Sequence, residues 1–233
     1  MASLYLFPVP MGDVAPAQVL PAHNLSLIRE IKYFVVENLR SARRFLKAVD
    51  RDIDIDSLHF VELSEHTRPE DVEGMLEPLS QGHSTGVISE AGCPAVADPG
   101  ADLVAAAQRI GYNVVPLVGP SSIIMSLMAS GFNGQNFVFR GYLPVESKSR
   151  TNVLRDMERE IRSQRRTQIF IETPYRNNRL IGELCTALAP DMKLCVASDI
   201  TGSRESIITL PIAEWRNRKY DYSKIPTIFL LYS

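Results

Sequence analysis

The chain has 233 residues, 45% of them hydrophobic, and a net charge of only −2 from 25 Lys and Arg against 27 Asp and Glu. That supplies enough apolar side chain for one large or two modest cores, and no apolar run approaches the length of a membrane span. Three cysteines without C-x-x-C spacing imply neither a disulfide framework nor a zinc site, and acidic residues over 52–77 oppose a uniformly nucleic-acid-seeking surface.

Strand and helix patterns alternate along the whole chain. The opening residues lack a basic leader and read as a first strand rather than a signal peptide, so a cytoplasmic protein is expected. Strands are expected over 4–9, 33–37, 59–63, 85–89 and 113–117, with helices over 23–31, 39–48, 69–81, 100–110 and 120–130 between and after them. Strand patterns follow over 137–140, 167–171, 193–198, 206–210 and 227–232, with helices over 146–164, 176–188 and 211–218. The fold class is α/β, with a mostly parallel first sheet and some antiparallel strands in the second half. Glycine and asparagine over 131–136 interrupt two regular elements, which suggests domains at 1–133 and 134–233. Cys185 and Cys195 read as small core residues. His23, His59, His66 and His83 are scattered without an H-x-x-x-H pair, so no metal is expected.

Two turns stand out. In the first, the strand ending at Ser89 runs into Glu-Ala-Gly-Cys-Pro-Ala-Val-Ala-Asp-Pro-Gly, ending at Gly100. Gly92 can take a positive φ, Pro94 removes a donor, and Cys93, Ala95 and Ala97 leave little bulk in the way. Asp98 suits the N-cap of the next helix, Pro99 its first position and Gly111 its stop. In the second, Val118-Gly-Pro-Ser-Ser opens a helix whose Ile123, Ile124, Leu127 and Met128 form an apolar stripe. Each turn alone is an ordinary βα connection. Two on neighbouring parallel strands would open at one carboxyl edge, where ligands of α/β sheets bind.

The same residues carry a resemblance. The run from Val87 to Gly100, followed by Val-Pro-Leu-Val-Gly-Pro-Ser-Ser, resembles the tetrapyrrole methylase superfamily of S-adenosylmethionine-dependent methyltransferases, and within it the ribosomal RNA small subunit methyltransferase I type. Further matches occur in order: residues 4–10 with Gly12, Glu65-His66, Ala129-Ser130-Gly131, 139–144 (Phe-Arg-Gly-Tyr-Leu-Pro) and 169–176 (Ile-Phe-Ile-Glu-Thr-Pro-Tyr-Arg). The resemblance implies a homodimer of two α/β domains with the methyl donor S-adenosylmethionine in a cleft between them. It assigns donor binding to Pro10, Gly92, Cys93, Val96, Ser121 and Ser122, with Phe170 and the Ile225-Pro226-Thr227 turn beside them.

On the acceptor side the family's Ala-Glu-Asp-Thr-Arg stands here as Val36-Glu-Asn-Leu-Arg40, and its His-Glu-His-Asn as Ser64-Glu-His-Thr67. Glu37, Arg40 and His66 are the candidate catalytic residues. Glu37 either positions the acceptor and takes its proton or is a strand-end carboxylate paired with Arg40. His66 is either a proton acceptor near neutral pH or a loop histidine without a role. Glu172 and Arg176 either bridge the domains, with Arg176 on a phosphate, or form a structural pair.

Charge is unevenly spread. Residues 140–179 hold ten Lys or Arg against five acids, and residues 40–51 hold five against Asp50 alone. Such stretches bind phosphate backbones or are solvated helix faces. The leading expectation is methylation of ribosomal RNA, on a ribose 2′-hydroxyl, with the small ribosomal subunit as partner. The alternatives are methylation of a tetrapyrrole or other small acceptor, and a catalytically lapsed S-adenosylmethionine-binding protein. Neither G-x-G-x-x-G, a P-loop nor [ND]-P-P-Y is present.

Overall fold

Strands and helices alternate as the pattern requires in the computed structural model, which describes residues 2–64 and 66–233. The chain divides into two compact units, the first ending at Ser121 and the second opening at Ser122.

The first unit runs β1 (Ser3–Phe7), α1 (Pro16–Val19), α2 (Ala22–Leu27), β2 (Tyr33–Val36), α3 (Leu39–Val49), β3 (His59–Glu62), α4 (Pro69–Val72), α5 (Glu77–Ser80), β4 (Thr85–Ile88), α6 (Gly100–Ile110) and β5 (Asn113–Pro116). Its five strands form one sheet in the order β3-β2-β4-β1-β5, and every pair in it is parallel. Side chains alternate across the sheet with the period of two that a strand imposes. Leu4, Val35 and Val87 pack with Leu76, Leu79, Leu103 and Ala107. Phe7, Phe34, Val36 and Ile88 pack with Ile28, Ala42 and Leu46. A parallel sheet must be covered on both faces in this way, and β4 is accordingly buried along its whole length.

Local signals explain most helix ends. Asn38 caps α3, its side-chain oxygen accepting from Ser41 N at 3.0 Å. Gly111, at φ 91°, closes α6. Residues 69–81 form α4, a 3-10 turn over Glu73–Leu76 and α5 rather than one helix. Pro78 has no N–H to give back and its ring crowds the carbonyl four residues earlier. The short α1 carries no periodic signal in the sequence.

The second unit contains α7 (Ser122–Ser130), β6 (Phe137–Tyr142), α8 (Ser147–Gln164), β7 (Thr167–Ile171), α9 (Asn177–Ala187), β8 (Lys193–Ser198), β9 (Ser206–Pro211), α10 (Ile212–Trp215) and β10 (Thr227–Tyr232). Its sheet runs β6-β7-β10-β8-β9, with β6 and β7 parallel and the remaining pairs antiparallel. Leu154, Met157 and Ile161 of α8 and Leu180, Ile181 and Leu184 of α9 cover Phe170, Leu194, Val196 and Phe229. The 131–136 run follows α7 within this unit, since α7 packs on β9 and β10. The apolar stripe of α7 does not become its buried face. Leu127 is buried with Ser126 and Ser130, whereas Ile124 and Met128 are exposed. Serine suits the close approach because its hydroxyl finds a partner within the helix: Ser126 donates to Ile123 O at 3.1 Å and Ser130 to Leu127 O at 2.9 Å.

Cys185 and Cys195 are both buried in this unit, and burial pushes the Cys195 thiol up to about 11. Trp215 is fully buried and its indole donates to Leu194 O at 2.9 Å. Trp215→Ala leaves a cavity and an unpaired carbonyl, and is expected to lower the unfolding free energy by about 3–5 kcal/mol, measured by urea titration followed by far-UV circular dichroism.

Candidate active site

Three of the connections at the carboxyl edge of the first sheet come together: after β1 through Pro8, Val9 and Pro10, after β4 through Ser89 to Pro99, and after β5 through Leu117 to Ser121. The strands that carry the two glycine and proline turns are not adjacent, because β1 lies between β4 and β5 and pairs with both. That insertion brings Pro10 into the group. Val9 and Gly92 form an isolated antiparallel pair, with Val9 N donating to Gly92 O at 2.9 Å and Gly92 N to Val9 O at 3.1 Å.

Gly92 sits at φ 72°, and a Cβ there would lie 3.4 Å from Pro120 O, so conformation and space both favour glycine. The Cys93 thiol lies 3.3 Å from the same carbonyl, towards which it donates. At Gly119 a Cβ would fall 2.2 Å from Pro8 Cβ. Pro10, Gly92, Cys93 and Ser121 are therefore gathered by backbone contacts, while Val96 extends from the same connection 52% exposed.

Two side chains whose bracing role the motifs did not reveal hold the group in place. Asn24 on α2 is buried and its amide donates to Val118 O at 2.8 Å. Nothing local in the sequence links residues ninety-odd positions apart. α6 begins at Gly100 with Pro99, not Asp98, at its N-cap, and Asp98, one residue earlier, accepts from Gly100 N at 2.7 Å and turns back to accept from Ala95 N at 2.9 Å. Between these points Ala95 and Ala97 both adopt left-handed φ, 63° and 60°. That conformation costs an L-residue about 1–2 kcal/mol.

Glu37 ends β2 on the same edge. Its carboxylate accepts from Glu90 N at 2.9 Å rather than from Arg40. Burial pushes this carboxyl up from its ordinary value; the Glu90 N–H pulls it back, and the charges of Asp98 and Glu90 add to the rise. Glu37, Ser89, Asp98 and Gly100 line one small hollow. Arg40 is exposed on α3, as is Arg43, whose guanidinium lies 5.7 Å from the centre of the Phe60 ring. His66 is exposed in the connection after β3, its backbone N donating to Ser64 Oγ at 3.3 Å. Its sequence neighbour Glu65 lies outside the described residues.

The substituted positions have local work. Asn38 caps α3, Leu39 N donates to Glu62 at 3.0 Å, and Thr67 Oγ1 accepts from Ser64 N at 3.0 Å.

In the second unit Ser122 opens α7. Phe170 is fully buried in β7, between β6 and β10, and stacks on Phe229 with ring centres 5.7 Å apart. Pro226 is exposed in a turn held by Asn177, whose amide donates to Ile225 O at 2.8 Å and Tyr222 O at 3.1 Å. Glu172 accepts from Arg176 Nη2 at 2.6 Å and Thr173 N at 2.7 Å, a pair closed within this unit.

Most of the second basic stretch neutralises itself. Arg140 and Arg166 reach Glu160, Arg162 reaches Glu158 and Asp191, and Arg150 is buried on Glu183. Arg40, Arg43 and Arg44 have no ion pair among the described residues. Among those residues no cluster of His, Cys, Asp and Glu could hold a metal ion, and no helix is long and apolar enough to cross a membrane.

A parallel sheet followed by a mixed sheet is a fold shared with solved structures. The diphthine synthase structure matches 100% of this chain and 90% of its own at TM-score 0.66 and 15% identity. The methyltransferase CobJ matches 100% and 93% at TM-score 0.64 and 15% identity. No family model matches the chain. Ribosomal RNA small subunit methyltransferase I of Vibrio cholerae is 30% identical over 211 residues, which are 91% of this chain and 69% of that protein. The protein of that name from Escherichia coli O157:H7 is 28% identical, over 91% of this chain and 70% of its own. The chain belongs to the ribosomal RNA small subunit methyltransferase I family and is an S-adenosylmethionine-dependent methyltransferase.

Removing the Asn24 amide leaves the Val118 carbonyl without its buried donor. Asn24→Ala is expected to lower the unfolding free energy by about 1–3 kcal/mol, read from the shift in urea midpoint.

Proposed function

We propose that this methyltransferase modifies ribosomal RNA of the small subunit at a ribose 2′-hydroxyl, with the donor held by the joined connections after β1, β4 and β5. The observation that carries the reading is the pairing of Val9 with Gly92, capped by the Cys93 contact with Pro120, in a chain of this family. Small residues and backbone groups there fit a nucleoside-like ligand. Gly92 is buried against Pro120 and Met11 and lets the connections after β1, β4 and β5 close on one another, and Pro10, Val96 and Ser121 lie on those connections. Ser122, Phe170 and Pro226 join the proposal on their motif match alone.

S-adenosylmethionine supplies a methyl group already activated on a sulfonium, so the chain need not furnish a covalent nucleophile. Its own residues must align the acceptor and take its proton. Glu37 suits the proton-accepting role, being half-buried at the sheet edge with a raised carboxyl that is a better proton acceptor than an ordinary glutamate. Arg40, Arg43 and Arg44 on α3 are the cations left to hold RNA phosphates, which position the strand without reading bases. His66, on the connection after β3, is the second candidate for the proton. The proposal extends to a homodimer, as the resemblance implies, and to a cytoplasmic location, as the strand-like opening residues suggest.

Labelled methyl transfer to small ribosomal subunits from cells lacking this protein tests the reading. Incorporation is expected into those subunits and not into wild-type subunits that already carry the mark. No incorporation into either, with donor binding intact, would instead favour the lapsed or small-acceptor readings. Glu37→Gln is expected to lower kcat by about 10²–10⁴-fold with unchanged donor affinity by calorimetry. In the native enzyme kcat/KM should climb with pH through an ionisation above the ordinary glutamate value of about 4.3, because only the unprotonated carboxylate accepts the proton. A flat profile across that range would remove Glu37 from the role.

A further inference from the structure

The connection from Cys93 to Pro99 is held in a conformation its residues do not favour. Ala95 and Ala97 lie in the left-handed region at φ 63° and 60°, where glycine or asparagine would be the ordinary choice. A non-glycine residue stays there only when its surroundings over-determine it. The surroundings converge on one side chain: Asp98 Oδ1 accepts from Gly100 N at 2.7 Å and from Ala95 N at 2.9 Å, and Oδ2 accepts from Ala95 N at 2.9 Å. One carboxylate thus clamps the backbone on both sides of the strained pair and fixes the first turn of α6 to the connection that carries Gly92 and Cys93. Asp98 is half-buried, and burial pushes its carboxyl up while the Gly100 and Ala95 N–H groups pull it down.

We propose that Asp98 is a positioning residue for the methyl donor, acting through the backbone of Ala95 and Val96 to hold the Gly92 and Cys93 surface in its binding shape. The inference rests on the donor site proposed above. Asp98 itself makes no contact with the donor; it keeps the residues between Cys93 and Gly100 from relaxing to right-handed or extended φ, which would swing Val96 and the Cys93 carbonyl away from the edge. Asparagine keeps an oxygen able to accept from both Ala95 N and Gly100 N, whereas alanine keeps nothing.

The test compares the native protein with Asp98→Asn and Asp98→Ala in two measurements. Amide hydrogen exchange in the donor-free protein reads the clamp directly. Asp98→Ala should lose at least about 10-fold protection at Ala95 and Gly100 with β1 and β4 unchanged, and Asp98→Asn should keep most of it. Calorimetry with S-adenosylmethionine, paired with steady-state kinetics, reads the consequence. Asp98→Ala should raise the donor Kd and KM at least about 10-fold without changing the KM for the small ribosomal subunit, and Asp98→Asn should return both to within about 3-fold of native. Unchanged exchange in Asp98→Ala would overturn the clamp. Lost protection with native donor affinity would overturn the positioning role, as would an Asp98→Asn variant as impaired as alanine. If alanine prevents folding, the asparagine variant still decides the matter, because a donor KM raised about 10-fold in a folded Asp98→Asn protein, which keeps the accepting oxygen, overturns the positioning role. Failure of the native protein to bind the donor would overturn the donor site itself and with it this positioning role, while the exchange result would still show whether Asp98 holds the turn.

Discussion

The two hydrogen bonds between Val9 and Gly92 are the constraint on which the candidate site depends. A parallel sheet leaves its carboxyl-edge connections free to wander, since each runs to a different helix on one face or the other. Here the chain leaving β1 is pinned to the chain leaving β4, and the Cys93 thiol and the crowding of Gly119 on Pro8 draw in the chain leaving β5. Glycine at position 92 answers two demands at once, a positive φ and the near approach of Pro120. Because β1 lies between β4 and β5, one pairing suffices to bring all three connections together.

Electrostatics distributes the remaining roles. Most of the longer basic stretch is spent within the second unit, where Arg150 and Arg162 of α8 pair with Glu183, Glu158 and Asp191, and Glu160 of α8 takes Arg140 and Arg166. Exposed pairs of this kind add little stability, but they remove charge that would otherwise attract phosphate. The shorter stretch on α3 keeps Arg40, Arg43 and Arg44 free of carboxylates among the described residues, on the helix that begins just after Glu37. The Glu37 carboxyl and these three arginines thereby fall within one short segment.

The departures from the family's acceptor motifs also take on physical sense. Asparagine is among the best N-caps, and Asn38 serves as one. Ser64 and Thr67 close a turn by hydrogen bonds to one another's backbone and side chain. These residues supply local order on either side of β3, and Glu37, whose environment raises its carboxyl, is retained.

The sequence by itself determined the alternation of strands with helices and the identity of the two turns at the sheet edge. These depend on short-range rules: side-chain period, β-branched runs, caps, and the dihedral limits of glycine and proline. Only the tertiary structure decided that β1 separates β4 from β5, that Glu37 is held by Glu90 N and not by Arg40, and that Ser126, Leu127 and Ser130 form the buried face of α7. The same holds for Asn24 reaching Val118 and for the self-neutralisation of α8. Each of these rests on which distant segments meet, and a hydrogen bond or ion pair between residues tens of positions apart leaves no trace in local spacing, because its energy exists only once the fold has paid the entropy of bringing them together.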